Sequence, residues 1–471
     1  MVGFTPSAGG ARSSVDDSLV IPGDVVCFSI LGSENIVLSS YEAATELLDS
    51  RGLIYSDRPR AVMAGELVGW NRGLGYSQGP PNGRFRELRK LFHSFIGPRA
   101  CESPELQTVQ EEETLKLLGK ILESPEDFMT HTRESTAIVL LKLAYGYNTS
   151  DKKDSLALVK MVQDAMDGFS VASEPGWLVD SFPLLRYLPW APFLQVAKQM
   201  RHDLERLYEV PFAWVKRERG RGTAGISFIS TFLDQKSGAV SQEDEGIINA
   251  AAASLYSGGA ETTVSSLDSY FLAMTLYPEV QSKARSILDA YMQKTAFERH
   301  FPNLSDRPNL PYIEALMYEI LRWNPSVPLG LPHVVTQDDT YRGFDIKKGT
   351  VVWANIWSIL HDDQVYPDPF EFRPERYLDH EGNIAKESKQ TVTVRTAFGF
   401  GRRICPGLYL AENSLFLAIS MLLHAFSVSQ HEDGLPNVEY DGFISHPRPF
   451  KCRIQPRSGE IGEHIRKSQA T

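Results

Sequence analysis

The chain has 471 residues and a formal net charge of −11. The acidic balance argues against a nucleic-acid binder, because neutralising phosphates requires a basic face. Its four cysteines lie far apart, without C-x-x-C spacing or a neighbouring histidine pair, which argues against a disulfide framework or a zinc site and fits a reducing compartment. No repeat or low-complexity block divides the chain. We therefore expect one domain over residues 1–471, with residues 1–22 as a disordered or partial N-terminal segment.

The sequence contains no obvious membrane-spanning segment. Its N-terminus, MVGFTPSAGGARSS, lacks the apolar core of a signal peptide. The longest apolar run, Leu415 to His424, is shorter than the roughly twenty residues that a membrane span needs.

The first predicted elements form a small β region. Two runs rich in β-branched side chains, residues 25–30 and 35–38, flank Gly32 and predict a hairpin. A helix over residues 41–49 follows. The Gly-rich stretch 61–78 is typical of a surface loop, although several apolar side chains interrupt it.

Residues 84–96 (RFRELRKLFHSFI) predict a short amphipathic helix with apolar side chains on one face and cations on the other. Basic runs of this kind are most often solvated faces. Prolines between Trp177 and Phe193 forbid one continuous helix, and the aromatic residues there are too many for a plain linker. A satellite core cluster is one of two interpretations that stay open. The intervening segments show helical periodicity, are interpreted as scaffold, and cover residues 105–122, 133–145 and 155–166.

A long apolar helix is predicted from Glu243 to Leu276, with Ser241 as its cap. Its centre reads GGAETT, and each glycine inside a helix costs roughly 1 kcal/mol against alanine. Close packing against a neighbouring helix would explain the glycines. The alternative is that the backbone yields to a bulky ligand, with Glu261 and Thr262 projecting a carboxylate and a hydroxyl toward it.

Further on, the helix Pro311 to Arg322 places Glu319 and Arg322 on one face, which by itself indicates an ordinary surface pair. The next segment, PSVPLGLPHVV, is too rich in proline for a helix and too apolar for an exposed loop.

The stretch FGFGRRICPG, from Phe398 to Gly407, carries the strongest chemical signal. Its glycines permit a tight turn and the close approach of a flat ligand. Thiolates are favoured near cations and helix N-termini, and Cys405 follows two arginines and precedes an apolar helix from Leu408 to Leu423. A lone cysteine is otherwise most often a small buried hydrophobe.

Four motifs together resemble the cytochrome P450 family, in the family's order and within about Gly23 to Arg457. The one nearest the N-terminus, W-x-x-x-R, is matched by Arg89 at its arginine only, and the other three are complete. The first is [A/G]-G-x-[D/E]-T at GGAET. The second is E-x-x-R, whose later partner arginine falls on Arg376 in FRPER. The third is F-x-x-G-x-R-x-C-x-G, matched by Phe398, Gly401, Arg403, Cys405 and Gly407. The resemblance implies a mainly α fold with a small β region, with haem held between the long central helix and the cysteine loop.

The resemblance also implies roles for single residues. Cys405 is the axial ligand of the iron of haem b. Thr262 binds oxygen and Glu261 relays protons through water. Phe85 replaces the tryptophan of the family's W-x-x-x-R pattern, which removes one propionate donor. The other residues expected to contact the cofactor are Arg89, His93, His333, Phe398, Arg403 and Gly407. The residues expected to line the substrate pocket are Leu255, Val327, Leu329 and Phe443, and a structural charge triad is expected from Glu319, Arg322 and Arg376. In the family the loop that matches residues 61–78 covers the substrate, so some of its apolar residues (Met63, Leu67, Trp70, Leu74) would line the pocket as an alternative to a plain surface loop.

The resemblance further implies a monooxygenase that takes electrons from NADPH through cytochrome P450 reductase, with cytochrome b5 as a further donor. It would insert one atom of O2 into an apolar substrate, in fungal secondary metabolism such as terpenoid synthesis or in xenobiotic metabolism. Arg86, Lys90 and Arg402 would form a basic docking patch for the acidic electron donor. Nucleic acid is not an expected partner.

Fungal members usually carry an N-terminal anchor and act at the cytosolic face of the endoplasmic reticulum. This chain shows no such anchor, so we expect it either to be shortened or to work without one in the cytoplasm. Residues 177–193 would then be a lid that dips into the membrane surface, as an alternative to a core cluster. Three other functions stay open: a reductase-independent isomerase or dehydratase, a haem-binding sensor or carrier, and an inactive shortened product.

Overall fold

The structure is a computed structural model that describes residues 23–79, 83–147, 152–236, 240–295 and 301–469. The predicted N-terminal segment 1–22 lies outside these residues. Helices dominate the fold, as the sequence predicts. The α-helices are α1 Tyr41–Ala44, α2 Gly52–Tyr55, α3 Arg84–Ile96, α4 Pro104–Glu123, α5 Phe128–Tyr145, α6 Lys152–Ser173, α7 Leu178–Ser181, α8 Pro192–Arg221, α9 Phe228–Asp234, α10 Gln242–Leu276, α11 Pro278–Thr295, α12 Pro311–Trp323, α13 Ile356–Leu360, α14 Lys389–Val394, α15 Leu408–Ala425 and α16 Gly459–Ser468.

The β region is small. The strands are β1 Val25–Ile30, β2 Ser33–Leu38, β3 His333–Val334, β4 Asp339–Tyr341, β5 Phe344–Ile346, β6 Val351–Ala354, β7 Phe426–Gln430, β8 Tyr440–Asp441, β9 His446–Pro447 and β10 Cys452–Pro456. The main sheet has the order β1-β2-β6-β3, in which β2 and β6 run parallel and the outer pairs run antiparallel. The other strands form the pairs β10-β7, β4-β5 and β8-β9.

Local sequence signals explain most element boundaries. The predicted hairpin is confirmed, and Leu31 and Gly32 turn it with φ of 49° and 83°. Ser40 caps α1 by accepting a hydrogen bond from the N–H of Ala43. Ser241 caps α10 in the same way, through the N–H of Asp244.

Helix α10 runs through the middle of the molecule and belongs to both of its main hydrophobic clusters. Its first half, up to Ala260, packs with α3, α5, α6 and α8. Its second half, from Leu267 on, packs with α12 and α15. The GGAETT motif lies where one cluster gives way to the other.

The predicted satellite core cluster at residues 177–193 does not form as expected. The segment contains α7 and a 3₁₀ turn at Pro183–Tyr187. Leu184, Tyr187 and Trp190 are between 73% and 79% exposed, so their side chains are on the surface. Trp177 and Phe193 are only partly buried. The segment therefore presents an exposed apolar surface.

Within the described residues, one helix, α15, is long and apolar enough to span a membrane. Its most apolar window is 72% buried by the rest of the protein. Burial of this extent is typical of the core helix of a globular fold.

Candidate active site

A cavity of about 380 Å³ lies between the middle of α10 and the loop that carries Cys405. It is lined mainly by apolar side chains from α3, α5, α6, α10 and the segments around residues 326–331 and 443–444. Cys405, Arg403, Phe398 and Gly407 form one side of it, and Thr262 forms part of another. The two strongest sequence motifs therefore meet at one cavity.

Backbone constraints hold the cysteine loop in a fixed shape. The N–H of Cys405 donates to the carbonyl of Phe398 at 2.8 Å, which closes the turn. Gly401 has φ of 49°, and a Cβ there would lie 2.4 Å from the carbonyl oxygen of Leu48. Only glycine meets both conditions, because any side chain would be strained and would collide with backbone.

The Cys405 sulfur lies at the start of α15. Burial raises the pKa of its thiol, while the backbone N–H groups of Gly407 and Leu408 and the charge of Arg89 oppose that rise. These donors favour the thiolate, which is the form that binds a metal. A cation bound at the sulfur would supply the remaining stabilisation of its negative charge.

Arg403 lies beside the sulfur and is incompletely satisfied. Its Nε donates to the carbonyl of Ser56 at 2.6 Å, and its guanidinium lies 3.7 Å from the ring centroid of Phe85. Both terminal nitrogens are buried without a hydrogen-bond partner among the described residues. Asp57 approaches one of them only to 4.0 Å. Burial lowers the pKa of Arg403 to about 10.

Further basic groups gather at the same end of the cavity. Arg89 donates from Nη1 to the carbonyl of Ile404 at 2.5 Å, and its pKa is lowered by burial. His333 places Nδ1 2.6 Å from the carbonyl oxygen of Tyr55. Burial and the charge of Arg58 hold the pKa of His333 well below its usual range, so the imidazole is neutral.

Arg58 belongs to this basic group, although no sequence pattern pointed to it. It donates to the carbonyls of Gly75, Leu331 and Pro332, and thereby joins two loops that line the cavity. Burial, together with the nearby charge of Arg403, lowers its pKa to about 9.

These residues fit haem. Buried guanidinium nitrogens without partners require an acidic group, and the two propionates of haem supply one. The apolar lining suits the porphyrin ring, and the cysteine sulfur suits its iron.

The two glycines of α10 serve different purposes. A Cβ on Gly258 would meet no heavy atom within 4 Å, and Gly258 lines the cavity, so its missing side chain widens the ligand space. A Cβ on Gly259 would lie 3.0 Å from Cδ2 of Leu140 on α5. Gly259 thus allows close helix packing, and both explanations offered by the sequence apply, one to each glycine.

Thr262 and Glu261 point in different directions, contrary to the expectation that both project toward the ligand. Thr262 lines the cavity and donates from Oγ1 to the carbonyl of Gly258 at 2.8 Å. Glu261 is not among the lining residues. Its Oε2 lies 3.4 Å from Nη2 of Arg133 and 3.3 Å from Nε2 of His446. Consecutive helical residues are about 100° apart, so they cannot share one face.

The surroundings of Glu261 are electrostatically mixed. Burial raises the pKa of its carboxyl, and the charge and hydrogen bond of Arg133 oppose that rise. Burial lowers the pKa of His446 to about 4, so this contact is with a neutral imidazole. The side chain of Arg133 is one-third exposed. Glu261 therefore lies between a solvent-facing cation and the helix turn that borders the cavity.

The structure brings the predicted charge triad together in the core. Arg322 donates to both carboxylate oxygens of Glu319, at 2.7 and 2.9 Å, and both side chains are fully buried. Arg376 lies 3.3 Å from the same carboxylate. The N–H of Arg373 and the hydroxyl of Tyr377 complete its hydrogen bonds. The triad fixes the segment 369–377 against α12.

The predicted pocket residues divide into two groups. Leu255, Val327 and Phe443 line the cavity. Leu329 does not; it is 41% exposed, because the turn at Gly330 directs the neighbouring Leu331 inward instead.

His93 also requires correction. It is exposed on the outer face of α3 and does not line the cavity, so the structure does not bring it to the expected edge of the haem site. The same helix directs Phe85, Arg89 and Phe92 to the cavity. Trp70, Tyr76 and Phe169 line the cavity as well. Trp70 and Tyr76 lie in a loop without a regular spacing of apolar residues, so the sequence does not indicate which way they point. The apolar spacing of α6 predicts a buried face but does not tell whether Phe169 packs in the core or lines the cavity.

Comparison with known proteins places this site in a family. The cytochrome P450 family model matches residues 20–454. Cytochrome P450 monooxygenase 208 of Postia placenta is 42% identical over 93% of this chain and 84% of its own length. Cytochrome P450 monooxygenase claR of Ampulloclitocybe clavipes is 40% identical over 95% and 82%. Tryptamine 4-monooxygenase of Psilocybe cyanescens is 35% identical over 93% and 86%. The chain belongs to the cytochrome P450 family, whose members hold haem through a cysteine thiolate and work as monooxygenases with electrons from NADPH.

Proposed function

We propose that the chain forms a single haem-binding domain and inserts one atom of O2 into a small apolar substrate. The observation that supports this function most directly is that Cys405 and Thr262 line one apolar cavity. At its basic end, the terminal guanidinium nitrogens of Arg403 have no hydrogen-bond partner among the described residues. When bound, haem supplies the activation of oxygen. Cys405 would ligate its iron, and Arg403, Arg89 and the neutral His333 would hold its propionates.

The remaining residues control protons and water. Thr262 lines the cavity, and its hydroxyl donates its proton to the carbonyl of Gly258. The oxygen of Thr262 is thereby oriented to accept a hydrogen bond from a water or a protonated group in the cavity. Glu261 supplies protons from the solvent side after its carboxylate leaves Arg133. The largely apolar lining limits bulk water at the site, so we assign proton delivery to this route.

The test of this function is expression with a P450 reductase in cells that are fed a fungal extract, followed by mass spectrometry for products that gain one oxygen atom. Thr262→Ala should keep NADPH oxidation and lose most of the product, because electrons then leak to peroxide. Unchanged coupling in Thr262→Ala would remove the role of the hydroxyl. Product formation without NADPH would favour an isomerase or dehydratase instead.

Electron transfer to the site uses a basic surface near the cysteine loop. Arg86, Lys90 and Arg402 are exposed, and no ion pair involves them within the described part of the chain. An acidic reductase, with cytochrome b5 as a further donor, would bind there. Lys90→Glu should slow haem reduction at low salt, whereas Lys198→Glu on α8, an exposed residue with the same charge change, should not. Equal rates in both variants would exclude this docking surface.

The exposed apolar surface formed by Leu178, Phe182, Leu184, Tyr187 and Trp190 supports peripheral membrane contact, at the cytosolic face of the endoplasmic reticulum. Purified protein should sediment with neutral phosphatidylcholine vesicles, and a Leu184→Ser/Trp190→Ser variant should bind at least about ten-fold more weakly. Vesicle binding that is unaffected by this variant would exclude the surface.

The biological setting is proposed from relatives. The names of the relatives describe monooxygenases, and one of them acts on tryptamine. We place this chain in fungal secondary metabolism, such as terpenoid synthesis, or in xenobiotic metabolism. Products found by the feeding experiment would decide between these settings.

A further inference from the structure

Four aromatic side chains from three segments meet on the wall of the cavity. Phe169 of α6 lies at their centre, with its ring centroid 4.9 Å from Trp70, 6.0 Å from Tyr76 and 5.8 Å from Phe443. The ring planes cross at 73°, 66° and 80°, which is the edge-to-face geometry that aromatic rings favour. All four side chains line the cavity.

Part of this aromatic wall remains available to a ligand. Trp70 and Tyr76 are buried, at 7% and 8% exposure, and form its rigid back. Phe169 and Phe443 are only partly buried. Their accessible surface borders the cavity, so a ligand there would contact Phe169 and Phe443 first.

The charges on the cavity wall are balanced without a charged substrate. Arg58, Arg89 and Arg403 line the cavity, and Asp57 lies close enough to Arg58 and Arg403 to act on their pKa values. Two propionates and Asp57 offset three guanidinium groups. The lining contains no aspartate or glutamate within the residues that the structure describes. A cationic substrate would find no ion pair, and an anionic one would compete with the propionates for the same arginines.

Two hydroxyl groups of the lining, those of Ser254 and Ser326, are already bonded to the protein. Ser254 donates to the carbonyl of Ala250 at 2.7 Å and accepts from the N–H of Leu74 at 3.0 Å. Ser326 donates to the carbonyl of Thr262 at 3.0 Å. The Nε1 of Trp70 is a buried donor without a hydrogen-bond partner among the described residues. Recognition of the substrate therefore depends mainly on apolar and aromatic contact, with this indole N–H as a further donor at the wall.

We propose that the substrate is an uncharged molecule with an aromatic ring, and that this ring packs against Phe169 and Phe443. The inference rests on the proposed function, because it names the substrate class of the same site. Aromatic rings pair with one another beyond the contribution of their buried area, through the negative face and positive edge of each ring. An aliphatic ligand of equal size gains only the free energy of burying its apolar surface area.

Binding is measured on the haem-loaded protein without reductase, through the change that a ligand causes in the haem absorption spectrum. The probes are naphthalene, its saturated counterpart decalin, a naphthylmethyl trimethylammonium ion that cannot coordinate iron, and naphthoate. Naphthalene should bind about five-fold more tightly than decalin, although decalin is the more hydrophobic of the two. The ammonium ion and naphthoate should each bind at least about ten-fold more weakly than naphthalene.

Two variants with the same chemical change locate the preference. Phe169→Leu should bring naphthalene and decalin to nearly equal affinity. Phe232→Leu should keep the preference, because Phe232 lies in a buried aromatic cluster with Phe95 and Phe228 and does not line the cavity. Phe443→Leu provides a second test at the wall if Phe169→Leu fails to fold.

The inference is overturned if decalin binds as tightly as naphthalene, if either ion binds within three-fold of naphthalene, or if naphthalene causes no spectral change up to its solubility limit. None of these results bears on the proposed monooxygenation, since no turnover occurs in the titration. Conversely, loss of oxygen insertion with intact naphthalene preference would refute the function and leave the binding site in place.

Discussion

The paired glycines of α10 allow a prediction with a built-in comparison. Replacing glycine by alanine inside a helix stabilises it by about 0.5–1 kcal/mol. Gly258→Ala should show this gain, because its methyl group meets no heavy atom within 4 Å. Gly259→Ala pushes its methyl to 3.0 and 3.1 Å from the two Cδ atoms of Leu140, and overpacking of this kind costs about 1–3 kcal/mol. The two variants should therefore differ by about 1–3 kcal/mol, with Gly259→Ala the less stable.

The assay is urea unfolding followed by far-UV circular dichroism on the haem-free variants, so that only protein atoms surround each added methyl group. Gly258→Ala should also bind small apolar ligands more weakly than the parent protein, because its methyl group enters the cavity. Equal stability of the two variants would refute the role of Gly259 in packing α10 against α5. A loss above 1 kcal/mol in Gly258→Ala would refute the open space beside it.

Three further outcomes are expected. Glu319→Gln should lower the free energy of unfolding in urea by about 3–5 kcal/mol, because it leaves the buried Arg322 without a counter-charge. Asp164→Asn, at an exposed ion pair with Lys160, should lower it by less than about 1 kcal/mol. Similar losses in both variants would contradict a structural triad. Burial raises the pKa of Asp268 to about 8, so its stabilising proton is held at low pH and lost as the pH rises toward 8. Asp268→Asn should flatten the fall in unfolding free energy between about pH 4 and 8, and an unchanged slope would contradict burial of a neutral carboxyl. Arg403→Lys should speed haem transfer to apomyoglobin at least about ten-fold, because lysine lacks both the planar fork that binds a propionate and the planar contact with Phe85 that positions it. An unchanged transfer rate would contradict the propionate role of Arg403.

Much of the fold could be predicted because long elements carry repeated signals. Helix α3 was predicted at residues 84–96 and has those bounds, since its apolar spacing and flanking glycines agree. Helix α10 begins and ends within one residue of its predicted limits, because Ser241 caps it and Pro278 follows it. Each of these boundaries depends on a local rule that neighbouring chain segments do not override.

The sequence predicts which residues belong to the site better than it predicts which way their side chains point. A motif names the residues Glu261 and Thr262, but only the helix phase and the partners Arg133 and His446 decide which of them reaches the cavity. The prediction that Leu329 lines the pocket is wrong for a similar reason. The turn at Gly330 changes which side chains of this short irregular segment point inward. Long-range contacts set these directions, and a single sequence does not contain them.

The substitution of tryptophan by Phe85 illustrates how such a contact changes the meaning of a residue. On sequence grounds it only removes a hydrogen-bond donor from the propionate. In the structure the Phe85 ring supports the guanidinium of Arg403 at 3.7 Å, and Ser56 fixes the Nε of that arginine from the other side. Both terminal nitrogens of Arg403 are thereby held in place with their hydrogen bonds still to be made. If Arg403 holds a propionate as proposed, Phe85 contributes by positioning that charged donor, in place of the donor that a tryptophan would supply itself.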